Sequence, residues 1–304
     1  MKNILTAVGN TPLVEISGLK SLPANTRIFA KIEGCNPGGS VKDRPALCMI
    51  REAEQQGLLN KGKTILEATS GNTGIALAMI GAALGYRLRI VMPACVSSER
   101  RAIITAFGAD LELTAAGTGT DGAIQRAREL LDTDPHLYFM PDQFANTANI
   151  RAHYETTGPE IFRQTEGSVD IVVAGIGTGG TLMGVGSYLR EVKPGVRIFG
   201  VEPRIGHKIQ GLKNLTESQV PQIFDRKRLD GIVSVDDEEA FAASRLLASR
   251  AGIFTGISSG AALAGAWKVA RDFANATLVT ILPDRGERYL STSLFRSYCG
   301  KCPP

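Results

Sequence analysis

Short runs of β-branched and other apolar residues alternate along the chain with longer stretches whose apolar positions recur at helical spacing. Strands are predicted over 27–33, 64–68, 87–92, 111–114, 169–175, 196–201, 232–235 and 277–282. Several, such as Asp170-Ile171-Val172-Val173-Ala174-Gly175, are almost continuously apolar, as strands covered on both faces tend to be. Helices are predicted over 43–56, 97–107 and 237–250. Asp43 and Ser97 are candidate N-caps, and Gly57, Gly108 and Gly252 follow the ends. Two more helices open at glycine-rich loops and run to about 190 and about 274. Alternating strands and helices predict right-handed crossovers and mainly parallel twisted sheets flanked by helices, an α/β fold. The polar stretch Asp142-Gln143-Phe144-Ala145-Asn146-Thr147 separates two runs of such units and suggests a boundary near 141–150. Two domains also suit 304 residues at roughly 150 per domain.

Composition narrows the class. Apolar residues at 43% and charged residues at 21% exclude a disordered tail, a coiled coil and a collagen-like rod. The net charge of +4 comes without a dense basic block, so charge gives no case for nucleic acid or a membrane surface. The first twelve residues carry no sustained apolar stretch and do not read as a signal peptide. The longest uncharged apolar run, 74–85, is short of the ~20 residues a membrane span needs. Cys35, Cys48, Cys95, Cys299 and Cys302 form no dense framework, and a reduced, cytoplasmic protein is expected. Glycine alone is out of line: 34 residues, about 11% against a usual ~7%. The excess points to tight loops, and what they hold decides the chemistry.

Three such loops sit where α/β sheets bind ligands, between a strand and the helix after it. Gly175-Ile176-Gly177-Thr178-Gly179-Gly180-Thr181 satisfies G-x-G-x-x-G, and Glu202 ends the next strand, as in a dinucleotide site. What the residues secure is bare N–H groups at a helix N-terminus, suited to an anion. Gly256-Ile257-Ser258-Ser259-Gly260 satisfies the G-x-S-x-G of hydrolases. The hydrolase reading fails, since His136, His153 and His207 all precede Ser258 and that architecture needs a histidine after it. Glu67-Ala68-Thr69-Ser70-Gly71-Asn72-Thr73-Gly74 converges neutral hydroxyls, an amide and N–H groups, a set suited to an amino acid's carboxylate. A fourth segment, Asn36-Pro37-Gly38-Gly39-Ser40-Val41-Lys42-Asp43-Arg44, puts a lysine where a Gly-rich turn meets a helix. A phosphate cup, a carboxylate loop and that lysine together fit pyridoxal phosphate, whose aldehyde a lysine holds as a Schiff base.

Taken together, the chain resembles the cysteine synthases (O-acetylserine sulfhydrylases), fold-type II pyridoxal-phosphate enzymes related in fold to the tryptophan synthase β chain. The resemblance runs almost end to end. It covers Gly9-Asn10-Thr11-Pro12-Leu13, residues 36–44, Thr69 to Gly74, Gln143-Phe144, Thr157-Gly158-Pro159-Glu160-Ile161, the loops at 177–181 and 256–260, and Gly286-Glu287-Arg288-Tyr289-Leu290-Ser291-Thr292. It implies a smaller N-terminal α/β domain over 36–146 and a larger one built from 1–35 and 147–304, with the active site in the cleft between them. Lys42 would be the catalytic lysine and bind the cofactor. Asn72 would meet the cofactor's 3′-oxygen, Gly177, Thr178, Gly179, Gly180 and Thr181 its phosphate, and Ser258 its pyridine nitrogen. Thr69, Ser70, Gly71, Thr73 and Gln143 would take the substrate carboxylate. The implied reaction replaces the acetoxy group of O-acetyl-L-serine by sulfide or thiosulfate through an aminoacrylate, in a homodimer.

The subtype rests on fewer residues. Pro283-Asp284-Arg285-Gly286-Glu287-Arg288 and Ser98-Glu99-Arg100-Arg101 look B-type, and Lys213 stands where B-type enzymes carry arginine. A cation there favours an anionic partner, so O-phospho-L-serine is the alternative substrate. A non-catalytic partner-binding protein on the same fold is the alternative of another class. The ending Cys299-Gly300-Lys301-Cys302 departs from the family and admits half a metal site or a redox pair, although no metal is expected. Cys35 is expected to be a small buried hydrophobe, His207 a polar loop residue and Trp267 core.

Overall fold

Two sheets organise this computed structural model, which describes residues 3–69 and 71–296. In order across the sheet, the larger holds β1 (Leu13–Glu15), β2 (Arg27–Ile32), β10 (Thr277–Leu282), β7 (Ile171–Gly175), β8 (Arg197–Pro203) and β9 (Gly231–Val235). The smaller holds β5 (Asp110–Thr114), β4 (Arg87–Pro93), β3 (Thr64–Ala68) and β6 (Tyr138–Phe139). β1 pairs antiparallel with β2, and the other pairings are parallel. The helices are α1 (Asp43–Gln55), α2 (Asn72–Leu84), α3 (Ser98–Ala106), α4 (Gly119–Thr133), α5 (Ala148–Ala152), α6 (Gly158–Gln164), α7 (Gly180–Val192), α8 (Asp237–Ala251), α9 (Ile257–Ala270) and α10 (Ser293–Arg296). A π-helical turn, His153–Thr157, joins α5 to α6.

Continuously apolar strands are explained by two-sided burial. Ile171 and Val173 of β7 pack with Leu247, Leu263 and Trp267 beneath α8 and α9. Their neighbours Val172 and Ala174 point the other way, against Ile161 of α6 and Leu182 and Leu189 of α7. The smaller sheet repeats the arrangement. Ile65 and Ile90 pack with Ile50, Ile75 and Ile80, while Leu66 and Val91 meet Ala123 and Ala127 of α4. Each fully buried valine, leucine or isoleucine among them contributes about 1.5–3 kcal/mol.

All eight predicted strands are present, with ends displaced by at most two residues. Local capping differs from expectation. Asp43 is the first residue of α1, not its cap, and its carboxylate accepts from the Gly38 N–H at 2.5 Å. Ser97 does hold the N-cap position of α3, but its hydroxyl donates to the Arg288 carbonyl at 3.1 Å. Cys35 is exposed, because the 3₁₀ turn Glu33–Cys35 buries Glu33 and Gly34 and turns the thiol outward. His207 lies in a loop and Trp267 in the core, as expected. Among the described residues no helix is long and apolar enough to cross a membrane.

The topology also places the functional loops. β2, β10 and β7 lie side by side, so the segments leaving their carboxyl ends (33–42, 283–289 and 176–180) emerge together. The segment leaving β3 joins them from the smaller sheet.

Candidate active site

These connections surround a cavity of about 130 Å³. Lys42 enters it from the N-terminus of α1. The turn before it is pinned to the end of β10: Val41 N–H donates to the Pro283 carbonyl at 2.8 Å, and Ser40 bridges to Asp284. The Lys42 Nζ has no hydrogen-bond partner among the described residues. Burial brings its pKa down to about 8, with the Asp284 charge opposing that shift.

The loop after β7 forms a cradle of backbone. A Cβ on Gly177 would lie 2.7 Å from the Gly211 carbonyl oxygen, and one on Gly179 (φ +84°) 2.6 Å from the Phe224 ring. A Cβ on Gly180 would come within 2.0 Å of the Asn149 Oδ1. Only glycine fits at these three positions, and no ionisable side chain occupies the loop. Such a cradle at the N-terminus of a 13-residue helix fits a phosphate group. Thr178 and Thr181 border the same cavity. Behind it, His153 holds the Thr181 hydroxyl through Nε2 at 3.2 Å and the Thr157 hydroxyl through Nδ1 at 2.8 Å. Burial, with the nearby charges of Arg44 and Lys42, keeps this imidazole neutral.

Across the cavity, Thr69, Asn72, Thr73 and Gln143 line the wall at the N-terminus of α2. The Thr73 hydroxyl donates to Gln143 Oε1 at 2.6 Å, which leaves the Gln143 amide N–H groups free to donate. Gly71 packs on Arg100, where a Cβ would meet the Cδ at 2.5 Å. Ser70 lies outside the described residues.

Asn72 is held by a network that the motifs did not announce. Its Nδ2 donates to Asp284 Oδ2 at 2.6 Å, and its Oδ1 accepts from Arg288 Nη1 at 2.6 Å. The Tyr289 hydroxyl donates to the same Asp284 oxygen at 2.6 Å and accepts from Arg100 Nη2 at 2.7 Å. The second Asn72 N–H therefore remains for a ligand in the cavity. A signal existed in the segment 283–288, but its partners come from α2 and α3, far away in sequence.

Ser258, buried at the start of α9, borders the cavity, whereas the neighbouring Ser259 hydroxyl is buried away from it. Lys213 also borders it. Its side chain is 13% exposed, its Nζ lies 4.9 Å from the Phe144 ring centroid and 3.9 Å from Asp121, and burial lowers its pKa. Cys299 and Cys302 lie outside the described residues, among which no group of His, Cys, Asp and Glu could hold a metal.

The donor set matches one cofactor chemistry: an anion cradle without counter-charge, a lysine amine of lowered pKa, and neutral hydroxyl and amide groups between them. Comparison with known proteins agrees. The family model described as "Pyridoxal-phosphate dependent enzyme" matches residues 4–284. A cysteine synthase of Aquifex aeolicus is 49% identical over 97% of this chain and 92% of its own. A cysteine synthase B of Pseudomonas aeruginosa is 46% identical over 96% of this chain and 97% of its own. The crystal structure of an Entamoeba histolytica cysteine synthase superposes with a TM-score of 0.92 at 40% identity, covering 97% of this chain and 91% of that one. The chain belongs to the pyridoxal-phosphate dependent enzymes and, within them, to the cysteine synthases.

Proposed function

We propose that this protein makes cysteine by replacing the acetoxy group of O-acetyl-L-serine with sulfide. The observation that carries the proposal is one cavity where the Lys42 amine, the glycine cradle and the neutral loop of α2 meet. Lys42, Asn72, the cradle from Gly177 to Thr181 and Ser258 would hold pyridoxal phosphate. When bound, the cofactor supplies an electron sink beside the α-carbon, which lets a β-substituent leave.

The chain's own residues supply the rest. Thr69, Ser70, Gly71, Thr73 and Gln143 bind the substrate carboxylate with neutral donors aided by the α2 dipole. That orientation holds the α-hydrogen within reach of Lys42. With a pKa of about 8, the Lys42 amine is neutral in part near pH 7, takes the α-proton and later returns it. The Ser258 hydroxyl is a neutral partner for the ring nitrogen, so it does not enforce a protonated ring. That restraint favours loss of a β-substituent over deeper carbanion chemistry.

In this reading the cavity lies between a domain of residues 36–146 and one formed by 1–35 with 147–304, in a cytoplasmic homodimer. The placement of Lys213 favours a second reading, an anionic partner at this wall: thiosulfate as sulfur donor or O-phospho-L-serine as acceptor. Comparing kcat/KM for the two serine esters, each with sulfide and with thiosulfate, tests both readings. O-acetyl-L-serine with sulfide is expected to give the highest value. Preference for the phosphate ester or for thiosulfate establishes the second reading, and formation of neither cysteine from sulfide nor S-sulfocysteine from thiosulfate with either ester contradicts both.

A further inference from the structure

One buried side chain joins the two walls of the cavity. Asn149, in α5, is 1% exposed. Its Nδ2 donates to the Gln143 carbonyl at 2.8 Å and to the Thr178 hydroxyl at 3.1 Å, which uses both amide hydrogens. Gln143 is bonded onward to Thr73, and the Thr178 hydroxyl accepts the Gly180 N–H at 3.3 Å. An unbroken path therefore runs from Thr73 on the carboxylate side, through Gln143, Asn149 and Thr178, to Gly180 in the cradle.

The amide can adopt only one orientation, because a flipped Asn149 would set its oxygen against the Gln143 carbonyl. Its Oδ1 is buried without a partner and packs where Gly180 lacks a side chain. An aspartate would lose both donors, an alanine would leave the Gln143 carbonyl unpaired and cut its link to Thr178, and a glutamine would reach into the cradle.

We infer that Asn149 is a positioning residue that locks the carboxylate-binding glutamine to the phosphate-binding loop, so that each wall is set by the other. The inference rests on the assignment of those two walls under the proposed function.

The test uses the full-length chain and two readouts: the pyridoxal phosphate concentration that half-saturates it, followed by the bound cofactor's absorbance, and steady-state kinetics with O-acetyl-L-serine. Asn149→Ala is expected to raise the half-saturating concentration at least tenfold and KM at least fivefold, with kcat within threefold of native. Asn149→Asp keeps the shape, loses the donors and is expected to behave alike, so it stands in if the alanine variant fails to fold. Thr178→Val removes the acceptor, and combined with Asn149→Ala it should add little to the loss of cofactor affinity. A purely structural role would instead leave KM unmoved and make the two effects multiply. Half-saturation within twofold of native in both Asn149 variants, or multiplying effects, overturns the inference. A native chain that binds no pyridoxal phosphate overturns the reading of the cradle itself.

Discussion

Lys42 and Arg44 stand two residues apart at the start of one helix, and their surroundings are opposite. Arg44 makes six hydrogen bonds: two to Glu33 at 2.7 and 2.9 Å, two to Glu160 at 2.7 Å, and one each to Thr156 and Thr11. Lys31 completes the cluster, 2.6 Å from Glu160. The two basic groups pull the Glu160 carboxyl down to about 2 against the effect of burial. Lys42 has no such partner among the described residues, and burial leaves its amine easier to deprotonate. A fully paired charge fixes the helix start, and an unpaired one beside it stays available for chemistry. The motifs at 9–13 and 157–161, which carry no catalytic group, supply Thr11 and Glu160 to the fixed side.

The comparison breaks first at Lys42. Lys42→Ala is expected to lower kcat by about 10³-fold or more, with a melting temperature close to native. Loss of folding with retained turnover would reverse the roles assigned to the pair. Arg44→Ala should do the opposite, costing about 3–5 kcal/mol in urea unfolding, because Glu33 is left buried without its ionic partner and Glu160 keeps only Lys31. An unchanged unfolding midpoint would show that the cluster is not what fixes the helix.

Acid sharpens the contrast. Glu160 has a depressed folded-state pKa, so its contribution is fully present above the usual glutamate range near ~4.3 and is lost as pH falls toward about 2. Native protein should lose stability between pH 5 and pH 3 (about that interval) more steeply than Glu160→Gln does. Equal slopes would remove the ion pair from the explanation. The smallest effect belongs to Lys213. Lys213→Ala is expected to reduce kcat/KM several-fold for thiosulfate or O-phospho-L-serine and to leave the sulfide and O-acetyl-L-serine values within twofold. Four unaltered values would make this lysine a bystander.

Much of this was legible in the residues. The strands buried on both faces announced themselves by continuous apolar runs, whereas β1 and β6 are too short to show any period. α4 begins in Gly119-Thr120-Asp121-Gly122, which reads as loop, and the π turn interrupts the helical spacing after α5. The cradle, the α2 loop and Lys42 were visible because each lies in one contiguous segment. Asp284, Arg288, Tyr289 and Arg100 lie in segments that matched motifs, but their role was not visible, because their hydrogen bonds join segments that only the fold brings together. Asn149 was hidden for the same reason, since its neighbours in sequence say nothing of Thr178.

The most direct measurement is reductive trapping of the cofactor. Full-length protein loaded with pyridoxal phosphate is reduced with borohydride, digested, and its peptides are weighed by mass spectrometry. The expected result is one pyridoxyl adduct, on the peptide that contains Lys42, absent from Lys42→Ala. An adduct at Lys213 or another lysine, or none at all, would contradict the central claim that the unpaired amine beside Arg44 is the reactive one.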